Sequence, residues 1–317
     1  MLKTMLKILK YLLSLLLFIL VLAFLYHQYS LNEEKKFLSS SIGQRVEVDG
    51  KKMNVYVAGK GPKTLVFLSG SGTSSPILDF KVLYSSLEKD HRIVVVEKFG
   101  YGFSDDSSTS RDLDTLLNQT RSALHQVGIE GPYVLLPHSM SGLEALHWST
   151  VYPKEIEGII GLDISLPEAY DNWHPNMLAY KSLQIAANIG VSRLLYAVDK
   201  NIAALTDDSL SQKEQSIYKA LFYRRPLSDA VIKEAEQVKK NSLLVKQEQF
   251  RKIPSLLFVS NGQGTGFTQE KWRGISRRFA KGSGHIVLKF LNSPHYIYHD
   301  NSDDIVKEIR KFLDKID

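Results

Sequence analysis

The chain has 317 residues, 44% of them hydrophobic, which is enough for one large globular domain with a substantial core. It contains no cysteine, which excludes a disulfide framework, a thiol nucleophile and a cysteine-based metal site. The formal net charge is +6, but three of the positive charges are lysines that precede the first apolar run. No basic stripe with interleaved aromatic residues follows, so the charge does not indicate nucleic-acid binding.

The N-terminal apolar run predicts a membrane anchor. Residues from Tyr11 to Tyr26 carry no charge, and a helix extended back to Ile8 measures about 28 Å, close to the roughly 30 Å of a hydrocarbon core. The preceding lysines predict a cytoplasmic N-terminus, a single pass of the cell membrane and an extracytoplasmic domain. A cleaved signal peptide is the alternative, but no small-x-small cleavage site ends the run. We predict a transmembrane signal-anchor over residues 1–30 and a polar tether over residues 31–41.

Beyond the tether, strand patterns alternate with helical patterns. Two apolar runs flank the turn pair Asp49-Gly50 and predict an antiparallel hairpin. Further runs predict strands near residues 64–68, 92–96, 133–137, 157–162, 255–259 and 285–290. The alternation predicts an α/β fold with a mostly parallel sheet that is covered by helices on both faces.

Strand patterns stop between Pro167 and about residue 249, which predicts a helical cap inserted after the strand at 157–162. Its helical segments are Leu178–Ile189, Ser192–Ala203, Ser211–Leu221 and Ser228–Ser242. A cap in this position would cover the sheet edge and limit the size of a substrate. Several ring side chains could line a pocket there, although such residues at helical spacing are more often core: Tyr170, Trp173, His174, Tyr180, Tyr196, Phe222 and Tyr223.

A serine stands between the strand near 133–137 and a helical pattern. Strand, sharp turn and helix form the layout that raises a hydroxyl above a sheet edge as a nucleophile. The crowded turn needs small residues two places either side; Ser141 meets this need after Ser139, whereas Pro137 stands where glycine is usual. If Ser141 were the nucleophile, the same position would be Leu143, which is too large. We therefore predict Ser139 as the nucleophile, with a helix-capping serine as the alternative.

A serine nucleophile needs a base and an acid that orients the base. His295 lies on the loop after the last predicted strand, from which it can reach over the sheet edge. His299 is the competitor, but we expect it on the first turn of a helix that points away, and the pair lacks the glutamate and third ligand of a zinc site, so no metal is predicted. Asp163 ends the strand at 157–162 and is the predicted acid, because the rival loop after 255–259 has no carboxylate before Glu270.

With Ser139, Asp163 and His295 in this chain order, the sequence resembles the α/β-hydrolase superfamily, in the branch of prolyl iminopeptidases, small esterases and haloalkane dehalogenases. A minority of that family carries the acid one strand early, as here. The resemblance runs from about Val46 to Leu313 and implies a hydrolase domain over residues 42–317 with its cap at about 167–249. Dehalogenases and epoxide hydrolases in the family use aspartate as the nucleophile, so a serine implies acyl chemistry without a cofactor.

Two glycine-containing loops agree with this resemblance. Ser69–Thr73 follows the strand at 64–68, where similar hydrolases have a His-Gly pair, and by position the oxyanion donors are the backbone N–H groups of Ser71 and Met140. A phosphate-binding loop is the alternative for this segment, but the Gly-x-x-x-x-Gly-Lys-Ser/Thr pattern is absent. The loop from Glu97 to Asp105 resembles the Asp-x-x-Gly-x-Gly-x-Ser loop of the family, and we expect its role to be structural.

The sequence therefore predicts a membrane-anchored serine hydrolase that cleaves an acyl ester or amide of a small substrate. Its expected partners are that substrate and the membrane, with no nucleic acid, and the oligomeric state stays open. An aminopeptidase of the prolyl iminopeptidase type is an alternative that needs an acidic patch in the cap; the available residues are Glu168, Asp171, Asp207 and Asp208. A catalytically silent binding protein is the other alternative, motivated by Pro137 and Ser69.

Overall fold

The computed structural model describes residues 1–195, 202–248, 250 and 252–316. Its centre is one eight-stranded sheet, whose strands in chain order are β1 Gln44–Val48, β2 Lys51–Ala58, β3 Thr64–Leu68, β4 Arg92–Glu97, β5 Tyr133–Pro137, β6 Ile156–Leu162, β7 Ser255–Val259 and β8 Ile286–Phe290. The spatial order is β1-β2-β4-β3-β5-β6-β7-β8. β2 pairs antiparallel with β1 and with β4, and the other neighbouring strands are parallel.

Helices occupy most of the connections between strands. Within the described residues they are α1 Leu2–Glu34, α2 Pro76–Asp79, α3 Lys81–Leu87, α4 Leu113–Gln126, α5 Ser141–Val151, α6 Met177–Asn188, α7 Val191–Leu194, α8 Gln212–Arg224, α9 Asp229–Gln247, α10 Gln269–Ala280, α11 Ile297–Asp300 and α12 Ser302–Leu313. The predicted strands and the hairpin are all present, with ends that differ by at most two residues. The N-cap side chains of Asp112, Asn176, Ser211, Ser228 and Thr268 each accept a backbone N–H and so begin α4, α6, α8, α9 and α10.

Alternate residues of each central strand enter two different cores. In β3, Leu65 and Phe67 pack in the cluster that contains residues of α3 and α12, while Val66 packs in the cluster that contains residues of α4 and α5. Both faces of the strand are buried, which explains its uninterrupted apolar sequence. The predicted fold class, a mostly parallel sheet covered by helices on both faces, is confirmed.

The strand order places a crevice at the carboxyl ends of β3 and β5. From β3 the chain passes to β4 on one side and then to β5 on the other, so the connections leave the sheet in opposite directions. Open α/β sheets bind ligands at such a reversal. The loop Ser69–Thr73 starts at the end of β3, and Ser139 lies just after the end of β5. These two segments are far apart in sequence, but they meet at the crevice because their strands are neighbours in the sheet.

The described part of the insert between β6 and β7 consists of helices and 3₁₀ turns joined by short loops, with no strand. It starts with the short 3₁₀ turn Pro167–Tyr170 and continues through α6, α7, α8 and α9. Three of the predicted cap segments correspond to α6, α8 and α9. The fourth, Ser192–Ala203, lies partly outside the described residues; its described part contains the end of α7, and the 3₁₀ turn Ala203–Leu205 begins at its last residue.

The N-terminal segment differs from the predicted tether. α1 is a single helix of 33 residues that continues to Glu34, and a 3₁₀ turn, Lys35–Leu38, follows directly. The physical reason is tertiary contact: Glu34 pairs with Arg193 of α7, and Phe37 and Leu38 pack against the apolar cluster of α8. By length and composition α1 is able to cross a membrane.

Candidate active site

Ser139 occupies a sharp turn between β5 and α5. Its φ of +55° lies in the left-handed region, where a residue other than glycine is uncommon and often marks a functional constraint. The turn is crowded, because a Cβ on Gly70 would stand 2.7 Å from the Cβ of Ser139. Ser141 stabilises the turn: its hydroxyl accepts the His138 N–H at 3.0 Å and lies 2.7 Å from the Leu68 carbonyl, to which it donates.

Pro137 fits this turn despite replacing the usual glycine. It is the last residue of β5 and pairs in register with Leu68 of β3. Proline removes one N–H from the ladder, but the next residue, His138, donates its N–H to the Leu68 carbonyl at 2.9 Å. The strand pairing therefore continues to the residue before the serine.

The structure brings the three predicted side chains together. The Oγ of Ser139 is 2.8 Å from Nε2 of His295, and Nδ1 of the same ring is 2.5 Å from Oδ2 of Asp163. Both distances are within hydrogen-bond range. The arrangement is that of a nucleophile next to a base whose other nitrogen is held by a carboxylate.

Asp163 is held in place by groups that leave one oxygen for the histidine. Its Oδ1 accepts the Ser260 N–H at 2.7 Å and the indole N–H of Trp272 at 2.8 Å. Its backbone also has a positive φ, of +50°, just after β6. The carboxylate is 1% exposed, and buried charge is tolerated only when it is paired and hydrogen-bonded.

The loop of His295 is fixed from two sides. Its N–H donates to the Gln263 carbonyl at 2.9 Å, so the loop after β7, which has no carboxylate of its own, supports the base. His138 lies against the same ring with centroids 4.7 Å apart, and its Nε2 is 3.3 Å from the His295 carbonyl. Burial, and next the proximity of His295, hold the pKa of His138 well below its usual value, so that His138 is neutral and donates this hydrogen bond.

The rival acid and the rival base lie elsewhere. Glu270 is exposed in the first turn of α10, and the amide of Asn261, in the rival loop, accepts the Gln263 N–H through its Oδ1. His299 lies on α11, as expected, where Nδ1 contacts Asp207 of the cap and Nε2 is 3.5 Å from Asp79. That histidine joins the cap to the core of the domain.

The two predicted oxyanion donors border the same crevice. Ser71 follows β3 and Met140 follows the serine, and both line the cleft that Ser139 and His295 line. Within the described residues, neither the Ser71 N–H nor the Met140 N–H donates to another protein group. Both are therefore able to donate to a bound ligand, as the positions of oxyanion donors require.

A buried glutamate of the cap, which the sequence did not single out, holds the loop of Ser71. Oε2 of Glu234 on α9 accepts the Ser71 hydroxyl at 2.7 Å and the Tyr101 hydroxyl at 2.5 Å, and Oε1 is 3.3 Å from the Arg111 guanidinium. Burial alone would raise the pKa of Glu234, but Lys98 and Arg111 outweigh it and the pKa is lowered. Glu234 is therefore an ionised carboxylate whose charge is already compensated.

Glu97 has the structural role expected for its loop. Its Oε2 accepts the Phe103 N–H at 2.7 Å and the side-chain amide of Asn54 at 2.9 Å. Burial raises the pKa of Glu97 to about 6, although the Phe103 and Asn54 hydrogen bonds oppose the shift. A Cβ on Gly102 would meet this carboxylate at about 2 Å, so the loop requires glycine there.

The cleft above Ser139 has a volume of about 330 Å³. Its cap side is lined by Tyr170, Trp173 and Tyr180, three of the aromatic residues named from the sequence, and by small apolar residues of α9. Phe222 lines a neighbouring cavity of about 180 Å³, and Tyr196 lies outside the described residues. Among the described residues there is no group of three or more histidines and carboxylates arranged to hold a metal ion.

Trp272, Gln263 and Glu234 support the site, and no local pattern marks them. Trp272 lies on an amphipathic helix where an aromatic residue is expected in the core, and Gln263 acts through its carbonyl, which every residue has. Glu234 is one of several charged residues on α9. Only the folding of distant segments against each other distinguishes them.

Comparison with known proteins identifies the class. The chain belongs to the alpha/beta hydrolase fold family, whose model matches residues 63–311. Among curated proteins it is 36% identical to the uncharacterized protein YbdG of Bacillus subtilis (strain 168), over 99% of both chains.

Two solved structures illustrate the likeness of fold. An epoxide hydrolase of Vigna radiata has a TM-score of 0.62 and 17% identity, covering 88% of this chain and 99% of its own. The enol-lactonase of Burkholderia xenovorans LB400 has a TM-score of 0.61 and 15% identity, covering 85% of this chain and 99% of its own. At these identities the likeness concerns the fold alone.

Proposed function

We propose that this protein is a membrane-anchored serine hydrolase that cleaves an acyl ester of an uncharged or amphiphilic small substrate. The observation that carries the proposal is the hydrogen-bonded series from Ser139 Oγ through His295 to Asp163. In this series Ser139, His295 and Asp163 stand in the order of nucleophile, base and orienting acid that acyl transfer requires.

The proposed reaction proceeds through an acyl-enzyme. Ser139 Oγ attacks the acyl carbonyl carbon while its proton passes to Nε2 of His295, and the imidazolium then protonates the leaving alcohol. Water next attacks the acyl-enzyme, gives a proton to His295 and releases the carboxylic acid, and the proton returns to Ser139. The N–H groups of Ser71 and Met140 would hold the oxyanion of both tetrahedral intermediates; such donors contribute about 3–4 kcal/mol each in comparable sites.

The cleft favours an acyl ester over the aminopeptidase alternative. An aminopeptidase needs a carboxylate that is free to bind the amine of its substrate. Glu234, the cap carboxylate that contacts Ser71, is already paired with Lys98 and Arg111. The described lining of the cleft consists of aromatic, apolar and hydroxyl side chains around the imidazole of His295. Glu168 and Asp171, named from the sequence, pair with Arg278 and Lys246.

The silent binding protein is disfavoured by the same contacts. Pro137 leaves the pairing of β5 intact. Ser69, which replaces the usual histidine, is fully buried at the start of the loop Ser69–Thr73. A protein without catalysis has no need for Ser139 in a rare backbone conformation beside an oriented imidazole.

The N-terminal helix supports the membrane part of the proposal. α1 is long and apolar enough to span a bilayer, and nearly all of its most apolar stretch is exposed rather than packed in a core. Together with the three lysines before that stretch, this favours a single pass of the cell membrane with the hydrolase domain outside the cytoplasm.

Labelling with a fluorophosphonate probe tests the nucleophile. The wild-type chain should be labelled, and Ser139→Ala should lose labelling and roughly 10⁴-fold or more of any ester hydrolysis, because no other group replaces the hydroxyl. His295→Gln should behave in the same way, whereas the matched change His299→Gln should retain labelling. Labelling that persists in a folded Ser139→Ala protein would assign the nucleophile to another residue.

A further inference from the structure

Five large apolar side chains are exposed on one stretch of the cap. They are between 50% and 78% exposed and form what we call the outer cap face: Leu178, Leu183, Ile185, Leu194 and Leu195. After the end of α1, the described residues include ten exposed large apolar side chains, and half of them lie in this stretch of α6 and α7. Exposed apolar surface that is concentrated in this way marks an interaction site.

The stretch that carries the outer cap face packs directly against α1. Gly190, between α6 and α7, has a φ of +87°, and a Cβ there would stand 2.5 Å from the Cβ of His27 and 2.8 Å from the Ala23 carbonyl. Only glycine allows this approach of two backbones. Ala23 and His27 are correspondingly the buried residues of α1.

An arginine fixes the same junction. Arg193 of α7 forms a bidentate pair with Glu34, at 2.8 and 2.6 Å, and its Nε donates to Nδ1 of His27 at 2.9 Å. Its guanidinium also lies over the ring of Tyr223, 4.0 Å from the centroid. Its side chain is 7% exposed, and a buried bidentate pair of this kind restrains both partners. The cap is therefore held at one height along the helix.

That height coincides with the end of the apolar run. The apolar run ends at Tyr26, where the polar pair His27-Gln28 follows, and Ala23 lies three residues earlier, about 5 Å along the helix axis. When the run fills the hydrocarbon core, the contact with Gly190 lies at the boundary between the acyl chains and the headgroups. Interfacial helices bury their apolar faces about 5–10 Å into this boundary.

The inner side of the same helix lines the cleft. Tyr180 of α6 borders the space above Ser139 and His295, while Leu178 and Ile185, which lie on roughly the opposite side of the same helix, are exposed. One wall of the cleft is therefore also the element that carries the outer cap face.

We propose that the outer cap face lies in the boundary layer of the membrane, and that the substrate is an acyl ester whose chain resides in the bilayer. This deepens the proposed function and rests on its membrane anchor. The lipid surface is favoured as the occupant because the face is continuous with the contact to the anchor helix. Lys181, exposed between Leu178 and Leu183, suits this position, because lysine extends its ammonium from an apolar layer to lipid phosphates.

Depth-dependent quenching tests the location of the face, and the absence of native cysteine makes single-site labelling clean. Leu183→Cys and Leu194→Cys are introduced in the full chain, labelled with an environment-sensitive fluorophore and reconstituted in vesicles of phosphatidylethanolamine and phosphatidylglycerol. Both labels should show blue-shifted emission and quenching by lipids with a spin label on the acyl chain. The matched controls Val151→Cys and Val287→Cys, which are also exposed outside the cap, should show neither.

Two results would overturn the location. Water-like emission from labelled Leu183→Cys and Leu194→Cys in vesicles would show that the outer cap face lies in solvent. Blue-shifted emission without lipid quenching would mean that protein, such as a second copy of this chain, covers the face instead.

Substrate presentation tests the second half of the proposal. The triple variant with Leu178→Ser, Leu183→Ser and Ile185→Ser should lose about tenfold or more activity on a long-chain ester held in vesicles, because burial of each side chain contributes more than about 1 kcal/mol. Activity on a short soluble ester should stay within about twofold, and Val287→Ser should change neither assay. Equal losses on both esters would refute the proposal.

Failure of this proposal can be told apart from failure of the proposed function. If Ser139 is not the nucleophile, neither ester assay depends on Ser139, while the quenching result is unchanged.

Discussion

At the scale of single residues, the site depends on how Asp163 divides its two oxygens. Ser260 and Trp272 donate to Oδ1, which leaves Oδ2 to accept from His295. Because these donors arrive from two separate segments, the carboxylate cannot rotate without losing a hydrogen bond in a buried place, where an unpaired group costs about 1–3 kcal/mol. The orientation of the imidazole follows from that constraint.

Asp163→Asn should therefore lower kcat by about 10⁴-fold with little change in KM. The amide keeps an oxygen for Ser260 and Trp272, so the fold is retained, but its NH₂ group then faces Nδ1 of His295 and favours the wrong tautomer. Steady-state hydrolysis of a soluble acyl ester, with circular dichroism as the folding check, measures this. Glu270→Gln is the control and should change kcat by less than about threefold. Full activity of Asp163→Asn would show that another residue orients the base.

At the scale of elements, a buried ion pair joins the cap to the sheet. His299 on α11 contacts Asp207, which lies before α8, and it faces Asp79 from the end of α2. Burial lowers the pKa of His299, but the hydrogen bonds to Asp207 and Asp79 outweigh burial and raise the pKa to about 9. The ring is therefore charged at neutral pH and holds the cap segment against the core.

The sign of the resulting pH dependence follows from the raised pKa. The stabilisation is complete below the ordinary value of 6.5 and is lost as the pH rises through about 9. The rise in the pKa of His299 from 6.5 to about 9 corresponds to at most roughly 3 kcal/mol of stabilisation of the folded state. The free energies of unfolding of the wild type and of His299→Gln should differ most below pH 6.5, and this difference should shrink above pH 9. His125→Gln, an exposed histidine on α4, should follow the wild type, and a constant gap for His299→Gln would contradict the prediction.

At the scale of the whole molecule, the N-terminal helix and the hydrolase domain form one connected unit. The segment that looked like a polar tether is helical to Glu34, which Arg193 holds, and Phe37 and Leu38 then pack against α8. The domain is therefore not free to move about a flexible linker. In the membrane arrangement that we propose, these contacts would give the cap a defined position relative to the bilayer, which is the basis of the proposed access from lipid.

The proposed orientation predicts the labelling pattern of single cysteines in intact spheroplasts. Asp303→Cys in the exposed first turn of α12 should react with a membrane-impermeant maleimide, whereas Thr4→Cys should react only after lysis, because the lysines keep the N-terminus in the cytoplasm. The full chain should also stay with the membrane in an alkaline carbonate wash. Reaction of Thr4→Cys in intact spheroplasts, or release by carbonate, would refute a single pass with this orientation.

Most of the fold was predictable from the sequence because its signals are local. A buried parallel strand is an uninterrupted apolar run, and a helix with one buried face has an apolar period, so the strands and most cap helices were found with small errors at their ends. The turn that carries Ser139 was predictable for the same reason, since strand, turn and helix lie within one continuous segment. The continuation of α1 to Glu34 was not predicted, because a short polar sequence carries no sign that a distant arginine will hold it.

The sequence by itself determined the class of fold, the apolar N-terminal helix and the residue types available for acyl chemistry. The tertiary structure alone decided that Ser139, Asp163 and His295 meet, that Trp272 and Gln263 position two of them, and that Gly190 presses the cap onto α1. The physical reason is that secondary structure depends on neighbours along the chain, whereas a site depends on contacts between segments that only the packed sheet and cap bring within hydrogen-bond distance.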